Sequence, residues 1–267
     1  MRRPRPAPIV AGAVVAGAAA VCYERVVRPW QQRWGATGPE RAAVLPGDEE
    51  VAEPAVQVTR ATTIDTEPKA VWPWIVQIGA DRGGFYSYDW LENLFGLGVH
   101  SATGIVPEWQ RLQVGDLVRA NRAGSGGWYV VALRPTEVLA LKLADTKQGL
   151  PARRDRGVGW EFLWTFAVHR EGPGRTRLVV RERVAFGRRA SRWVMAPLGL
   201  VSFVMTRKML LGIKERAERS EGSGRSEQSG RSERPGRSEQ SGRSGEGSRP
   251  PSPGPPNGGH DAERRPR

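Results

Sequence analysis

The residues best able to do chemistry gather in one short run, Gly83-Gly84-Phe85-Tyr86-Ser87-Tyr88-Asp89-Trp90-Leu91-Glu92. Hydroxyl and carboxyl groups placed where a loop enters a helix suit recognition of a ligand head group, and Tyr86, Tyr88 and Asp89 are the candidates. The competing use is structural. Ser87 and Asp89 have the chemistry of helix caps, which satisfy the free N–H groups of a first turn, with the aromatics packed beneath. A further carboxylate, Glu108, stands in Val106-Pro107-Glu108-Trp109. If folding brought Asp89 and Glu108 together, burial and mutual repulsion would raise the pKa of one and create an acid–base pair. Spacing argues against other chemistry. The histidines His100, His169 and His260 are far apart, and the single cysteine, Cys22, allows neither an internal disulfide framework nor an all-cysteine zinc site. No metal and no cofactor is expected. Gly124-Ser125-Gly126-Gly127 resembles a phosphate-cradling loop, yet no Lys-Ser/Thr follows and a strand comes next, so it reads as a hairpin connection.

The elements that must position these residues follow from periodicity. Val56 to Ile64 alternates as a strand, and Asp65-Thr66-Glu67-Pro68 then supplies cap and first-turn chemistry for a helix through KAVWPWIVQIG. Val71, Trp74, Ile75 and Ile78 share one face of it, and Pro73 falls early enough for its missing N–H to be tolerated. A shorter helix begins near Tyr88, carries Trp90, Leu91, Leu94 and Phe95, and stops at Gly96 and Gly98. After Asp116 the pattern changes to strands over 117–120, 127–134, 138–144, 158–169 and 175–186, the last pair joined by the turn Glu171-Gly172-Pro173-Gly174. A helical pattern returns from Arg192 to Arg219, apolar nearly all round between Trp193 and Met205. Strand, helices, a run of strands and a closing helix argue for an α+β fold with an antiparallel sheet. Along 158–169, Trp160, Phe162, Trp164, Phe166 and Val168 point to one face, because side chains alternate. That wall suits core packing or a ligand cavity, and one wall can serve both.

With this element order, the segments AVWPWIVQIGADRGGFYSYDWLENLFGLG, VPEWQRLQVGDLV and FVMTRKMLLGIKERAE resemble the START-like superfamily, also called SRPBCC, in its uncharacterised bacterial branch related to polyketide cyclases/dehydrases and lipid-transport proteins. The likeness runs from about Val56 to Glu218. It implies a helix-grip fold, a curved antiparallel sheet around a long C-terminal helix with an apolar cavity between them. It also implies binding or transport of a hydrophobic small molecule, a lipid foremost. Alternatives are a cyclase- or dehydrase-like enzyme and a non-catalytic regulatory interaction module. On the resemblance, Tyr86, Tyr88, Asp89, Trp90, Glu108, Trp160, Phe162, Trp164 and Phe166 would line the ligand site, with none assigned to catalysis.

The two ends differ from the middle. Residues 1–30 open with Arg2, Arg3 and Arg5, run uncharged from Pro6 to Tyr23, and continue with Arg25, Arg28 and Trp30. This pattern fits a single-pass membrane anchor or a cleaved signal segment, Ala18 and Ala20 meeting the small-x-small rule. The flanking arginines balance, so the side of the membrane stays open. Residues 31–55 read as a linker, and 56–219 as the folded domain. From Ser220 to Arg267 the repeats GRSEQS, GRSERP, GRSEQS and GRSGEG offer almost nothing to bury, so a disordered tail is expected. Of the formal +13, the tail holds +2 and residues 1–55 hold +1, leaving +10 on the domain. Basic residues flanking an apolar helix suit an anionic membrane, whereas no aromatic–basic module argues for specific nucleic-acid binding.

Overall fold

The computed structural model describes residues 7–124, 126–186 and 198–232 of the chain. Helix α1 (Ala7–Cys22) continues through a π-helical turn, Tyr23–Val27, into α2 (Arg28–Gln32), and α3 (Gly38–Ala42) follows. Then come β1 (Val56–Ile64), α4 (Pro68–Val76), α5 (Asp89–Leu94), β2 (Leu117–Arg119), β3 (Gly127–Arg134), β4 (Val138–Asp145), β5 (Leu150–Pro151), β6 (Trp160–Gly172), β7 (Arg175–Phe186) and α6 (Leu198–Ser232). The fold is α+β. Its seven-stranded sheet runs in the order β1-β7-β6-β4-β3-β2, with β5 paired to β4, and every pairing is antiparallel. Register shifts at Val130/Ala132 and Arg170/Gly172 mark bulges, which bend strands.

One face of the sheet carries the main core. Leu139, Leu141, Phe166, Val168, Leu178 and Val180 meet Val71, Trp74 and Ile75 of α4 and Met209, Leu210, Ile213 and Ala217 of α6. This is the sheet-on-helix packing that the helix-grip resemblance implies. Gly212 permits it locally: a Cβ there would lie 2.4 Å from the backbone oxygen of Tyr86, so only glycine lets α6 approach this loop so closely.

The opposite face departs from expectation. Residues 31–55, read as a linker, lie across it. Val51 packs on Ala140, Leu163 and Ala185, and Gly47, at φ +93°, sits where a Cβ would meet that of Ala140 at 2.8 Å. Cationic side chains of the sheet hold the segment through its carbonyl and carboxylate oxygens. Arg181 is fully buried and donates to Asp48 Oδ2 at 2.7 Å, to the Ala43 oxygen at 2.6 Å and to the Glu40 oxygen at 2.6 Å. Arg183 reaches Asp48 at 3.1 Å and the Val51 oxygen at 3.0 Å. Lys142, also fully buried, donates to the Glu50 carbonyl, and Arg177 forks onto Glu40. A buried cation stays charged only when its donors are met, and backbone carbonyls meet most of these. Part of the domain's positive excess is thus spent inside the molecule rather than on a partner.

The N-terminal membrane-helix expectation finds no support among the described residues. Helix α1, described from Ala7, has 16 residues and passes without a break into the turn Tyr23–Val27, where Glu24 and Arg25 bring charge. Among the described residues no helix is long and apolar enough to cross a membrane. At the other end, α6 runs past Ser220 to Ser232, so the expected tail begins inside a helix, while residues 233–267 lie outside the described residues. Arg192 and the stretch Trp193–Pro197, expected to open the last helix, also lie outside them.

Candidate functional site

Between the sheet and α6 the packing leaves a cavity of about 280 Å³. Its wall is apolar over most of its surface, with Phe85, Trp128, Phe162, Trp164, Met205 and Met209 prominent. The aromatic rings support one another: Trp128 and Trp164 lie 5.6 Å apart between centroids, Phe85 and Trp128 6.0 Å, and Trp164 and Phe166 4.8 Å. A larger space of about 720 Å³ adjoins it, sharing Trp128, Phe162, Glu182 and Ser202 and reaching Tyr23, Arg28 and Gln31 at the base of the N-terminal helices.

Two carboxyl groups stand in the wall of the smaller cavity, in unlike surroundings. Glu182 projects from β7 on the cavity face. It takes hydrogen bonds from Arg60 Nη1, Ser202 Oγ and Thr206 Oγ1, each at 2.8 Å. Arg60 in turn donates to the Gln31 carbonyl at 3.0 Å and lies 5.6 Å from the Phe203 ring centroid. This carboxylate is spent on the protein. Glu92, on α5, is only 2% exposed. Ser87 donates to its Oε1, and its Oε2 has no partner. Burial, with the neighbouring Asp89 charge adding to it, pushes the Glu92 pKa up against the opposing Ser87 bond. The indole N–H groups of Trp128 and Trp164, two more residues of the same wall, are likewise buried without partners. A buried polar atom left without a hydrogen bond costs about 1–3 kcal/mol, and others, among them Trp74 Nε1 and Tyr86 Oη, lie away from this cavity, so these three do not by themselves mark a site.

The residues singled out from sequence divide. Phe162 and Trp164 line the smaller cavity, and Trp160 with Phe162 lines the larger. Phe166 is fully buried in the core behind Trp164. Tyr86 is also core, edge-on to Trp74 at 5.9 Å and beneath the Arg216 guanidinium at 5.0 Å, with burial raising its pKa. Tyr88 is half-buried, with Lys208 Nζ 5.9 Å from its ring centroid. Asp89 opens α5 and caps nothing, since the N-cap is Tyr88 with no side-chain cap bond. It accepts from Ser101 N at 2.8 Å and Ser101 Oγ at 2.6 Å, tying the loop after α5 back to the helix start. Trp90, 67% exposed, faces solvent with Leu94 and Phe95, and Glu108 is exposed on the 3-10 turn Pro107–Gln110. Neither Tyr86, Tyr88, Asp89, Trp90 nor Glu108 is among the residues lining the two cavities.

Sequence reasoning passed over Glu92, Glu182, Arg60, Trp128, Met205 and Thr206. A signal for Glu182 existed: in Arg181-Glu182-Arg183, alternation puts the acid on the same face as Val180 and Val184. Among the described residues no cluster of His, Cys, Asp or Glu could hold a metal ion.

No protein-family model matches the chain, and no curated protein sequence matches it. Solved structures do. A hypothetical protein of Helicobacter pylori is 11% identical with a TM-score of 0.43, the match covering 68% of this chain and 99% of that one. A Mesorhizobium loti protein is 14% identical with a TM-score of 0.36, covering 61% and 98%. DynU16, from the dynemicin biosynthetic locus, is 17% identical with a TM-score of 0.34, covering 64% and 49%. Similarity of this degree transfers neither a site nor an activity.

Proposed function

We propose that the domain binds a hydrophobic small molecule, a lipid foremost, in the cavity between the sheet and α6. The observation that carries this reading is the aromatic-walled cavity itself, together with the larger space that continues from it. A ligand burying ~300 Å² of apolar surface there would gain about 7 kcal/mol before association costs, which makes micromolar affinity the ceiling unless polar groups add to it. Helix α1 belongs to the same reading, as the element that brings the domain to a membrane surface. The test is titration of the full chain with cis-parinaric acid, a fluorescent fatty acid, followed by quenching of tryptophan emission. Trp164→Phe keeps an apolar ring while changing the cavity's volume, so affinity should change several-fold with little change in melting temperature. Absence of binding by the parent chain would overturn the proposal.

A second reading draws on one further observation, the unequal carboxyls Glu92 and Glu182 in one cavity wall. A carboxyl pushed up by burial in an apolar wall suits general-acid chemistry of the cyclase or dehydrase kind. Under that reading Glu92 is the acid, and E92Q would bind a substrate but not turn it over.

A further inference from the structure

The two adjoining spaces differ in what their polar side chains have left to offer. In the smaller, Ser87 bonds to Glu92, and Glu182 takes bonds from Arg60, Ser202 and Thr206, so its polar groups are engaged with the protein. The larger has two kinds of wall. Trp160, Phe162 and Phe186 continue the apolar surface, whereas the N-terminal helices contribute Glu24, Arg28 and Gln32. Arg28 is the cation with capacity to spare. Its side chain is 38% exposed, so it presents real surface to that space, and its guanidinium makes one hydrogen bond among the described residues, from Nη1 to Glu24 Oε2 at 2.6 Å. The edge that carries Nε and Nη2 is left to donate. An exposed pair four residues apart on a helix is weak, so Glu24 competes poorly with an anion brought by a ligand. Arg60, the other cation of this wall, is fully buried, and Glu182 offsets its charge.

We propose that the ligand is a single-chain amphiphile with a carboxylate head, which the free edge of Arg28 holds while the chain runs past Trp128 and Phe162 into the smaller cavity. Those two aromatics line both spaces, so a chain can follow apolar wall from one to the other. This rests on the reading that the cavity binds a hydrophobic small molecule, and it adds the head group and its place. The resemblance to START-like proteins, from about Val56 to Glu218, does not reach Arg28. A guanidinium edge matches a carboxylate with two parallel N–H···O bonds, and charge makes them stronger than bonds to a neutral acceptor. A phosphate dianion asks for more positive charge than one arginine shared with Glu24 supplies.

The experiment compares cis-parinaric acid with its methyl ester on the full chain at a pH where the acid is ionised, by tryptophan quenching. Chain and fluorophore are the same in both, and the charge of the head differs. The acid should bind about tenfold more tightly, as expected for hydrogen bonds to a charged partner, and the margin should shrink as salt is raised. R28A should bring acid and ester together, whereas R28K, a point charge without the fork, should keep part of the preference. E24Q removes the competing carboxylate, so it should tighten the acid about twofold and leave the ester unchanged. K208A, which removes the cation beside Tyr88, should change neither. Equal binding of acid and ester by the parent chain overturns this inference and leaves the apolar-cavity reading standing. A preference that survives R28A, falls in E24Q or is lost in K208A puts the head elsewhere and overturns the role of Arg28. Failure of both compounds to bind, with a folded chain by near-ultraviolet circular dichroism, overturns the cavity reading and this inference with it.

Discussion

At the scale of single residues, the same side-chain type takes opposite roles according to what covers it. Glu40 and Glu92 show this. Burial tends to raise the Glu40 pKa, but hydrogen bonds from Arg177 and from the Thr37 capping box outweigh it and hold the pKa down from 4.5 to about 2. A depressed folded pKa contributes stability that is complete above the unfolded value and is lost as pH falls through the folded one. Denaturant melts between pH 5 and pH 2 should therefore show a progressive loss in the parent chain. E40Q should show a shallower loss, differing by about 1 kcal/mol because solvent at the rim screens the pair; parallel pH profiles would disprove the assignment. Glu92, pushed the other way by burial, lacks a cation and has one oxygen unmet. Nothing local in Asp89-Trp90-Leu91-Glu92 separates the two acids of that turn. Ser101, twelve residues beyond Asp89, engages Asp89 and leaves Glu92 to the cavity. A closure of that kind is tertiary, which is why Tyr88 and Asp89 looked the better candidates from sequence.

At the scale of elements, strands were legible where alternation and turn residues agreed. β1, β3 and β7 occupy the positions that their patterns indicate, and β6 presents Trp160, Phe162 and Trp164 to the cavity face as its alternation requires. The segment at 31–55 was illegible for a physical reason. It binds the sheet largely through carbonyl oxygens, which every residue possesses, so its attachment leaves little mark on composition beyond Asp48 and Glu40. The better clue lay on its partners, the cations Arg181 and Lys142 within apolar strands. Removing the segment would take from Arg181 its Asp48 partner and the carbonyls of Glu40, Arg41 and Ala43, leaving it Thr59, and from Lys142 the Glu50 carbonyl, leaving it Glu161; breaking a buried pair costs about 3–5 kcal/mol. That is a large part of the roughly 5–15 kcal/mol that holds a domain together. A chain starting at Val56 should lose its cooperative thermal transition, whereas one starting at Arg28 should keep it. A normal melt from the shorter chain would return the segment to the status of a linker.

At the scale of the whole molecule, the cavity and the N-terminal helix share an end of the domain. Tyr23, Arg28 and Gln31 border the larger space, Trp30 packs on Phe203 at 5.3 Å, and α1 extends from there with Val15 and Val21 exposed. An apolar helix lying along a bilayer can bury one side at its surface. The chain's formal charge of +13 favours an anionic bilayer, each basic group near the surface contributing roughly 1 kcal/mol. Full-length protein should therefore co-sediment with phosphatidylglycerol-rich vesicles, more weakly with phosphatidylcholine alone, and less as salt is raised. Deleting residues 1–27 should abolish co-sedimentation while leaving cis-parinaric acid binding in solution within about twofold, because α2 and its contact with Phe203 remain to close that end of the cavity. If the shortened chain still sediments with the vesicles, the lipid contact lies elsewhere on the domain. The exposed Trp90, Leu94 and Phe95 of α5 are then the next surface to mutate. If it no longer sediments but also loses ligand, the N-terminal helices serve the cavity rather than the membrane, and α1 is a wall rather than a tether.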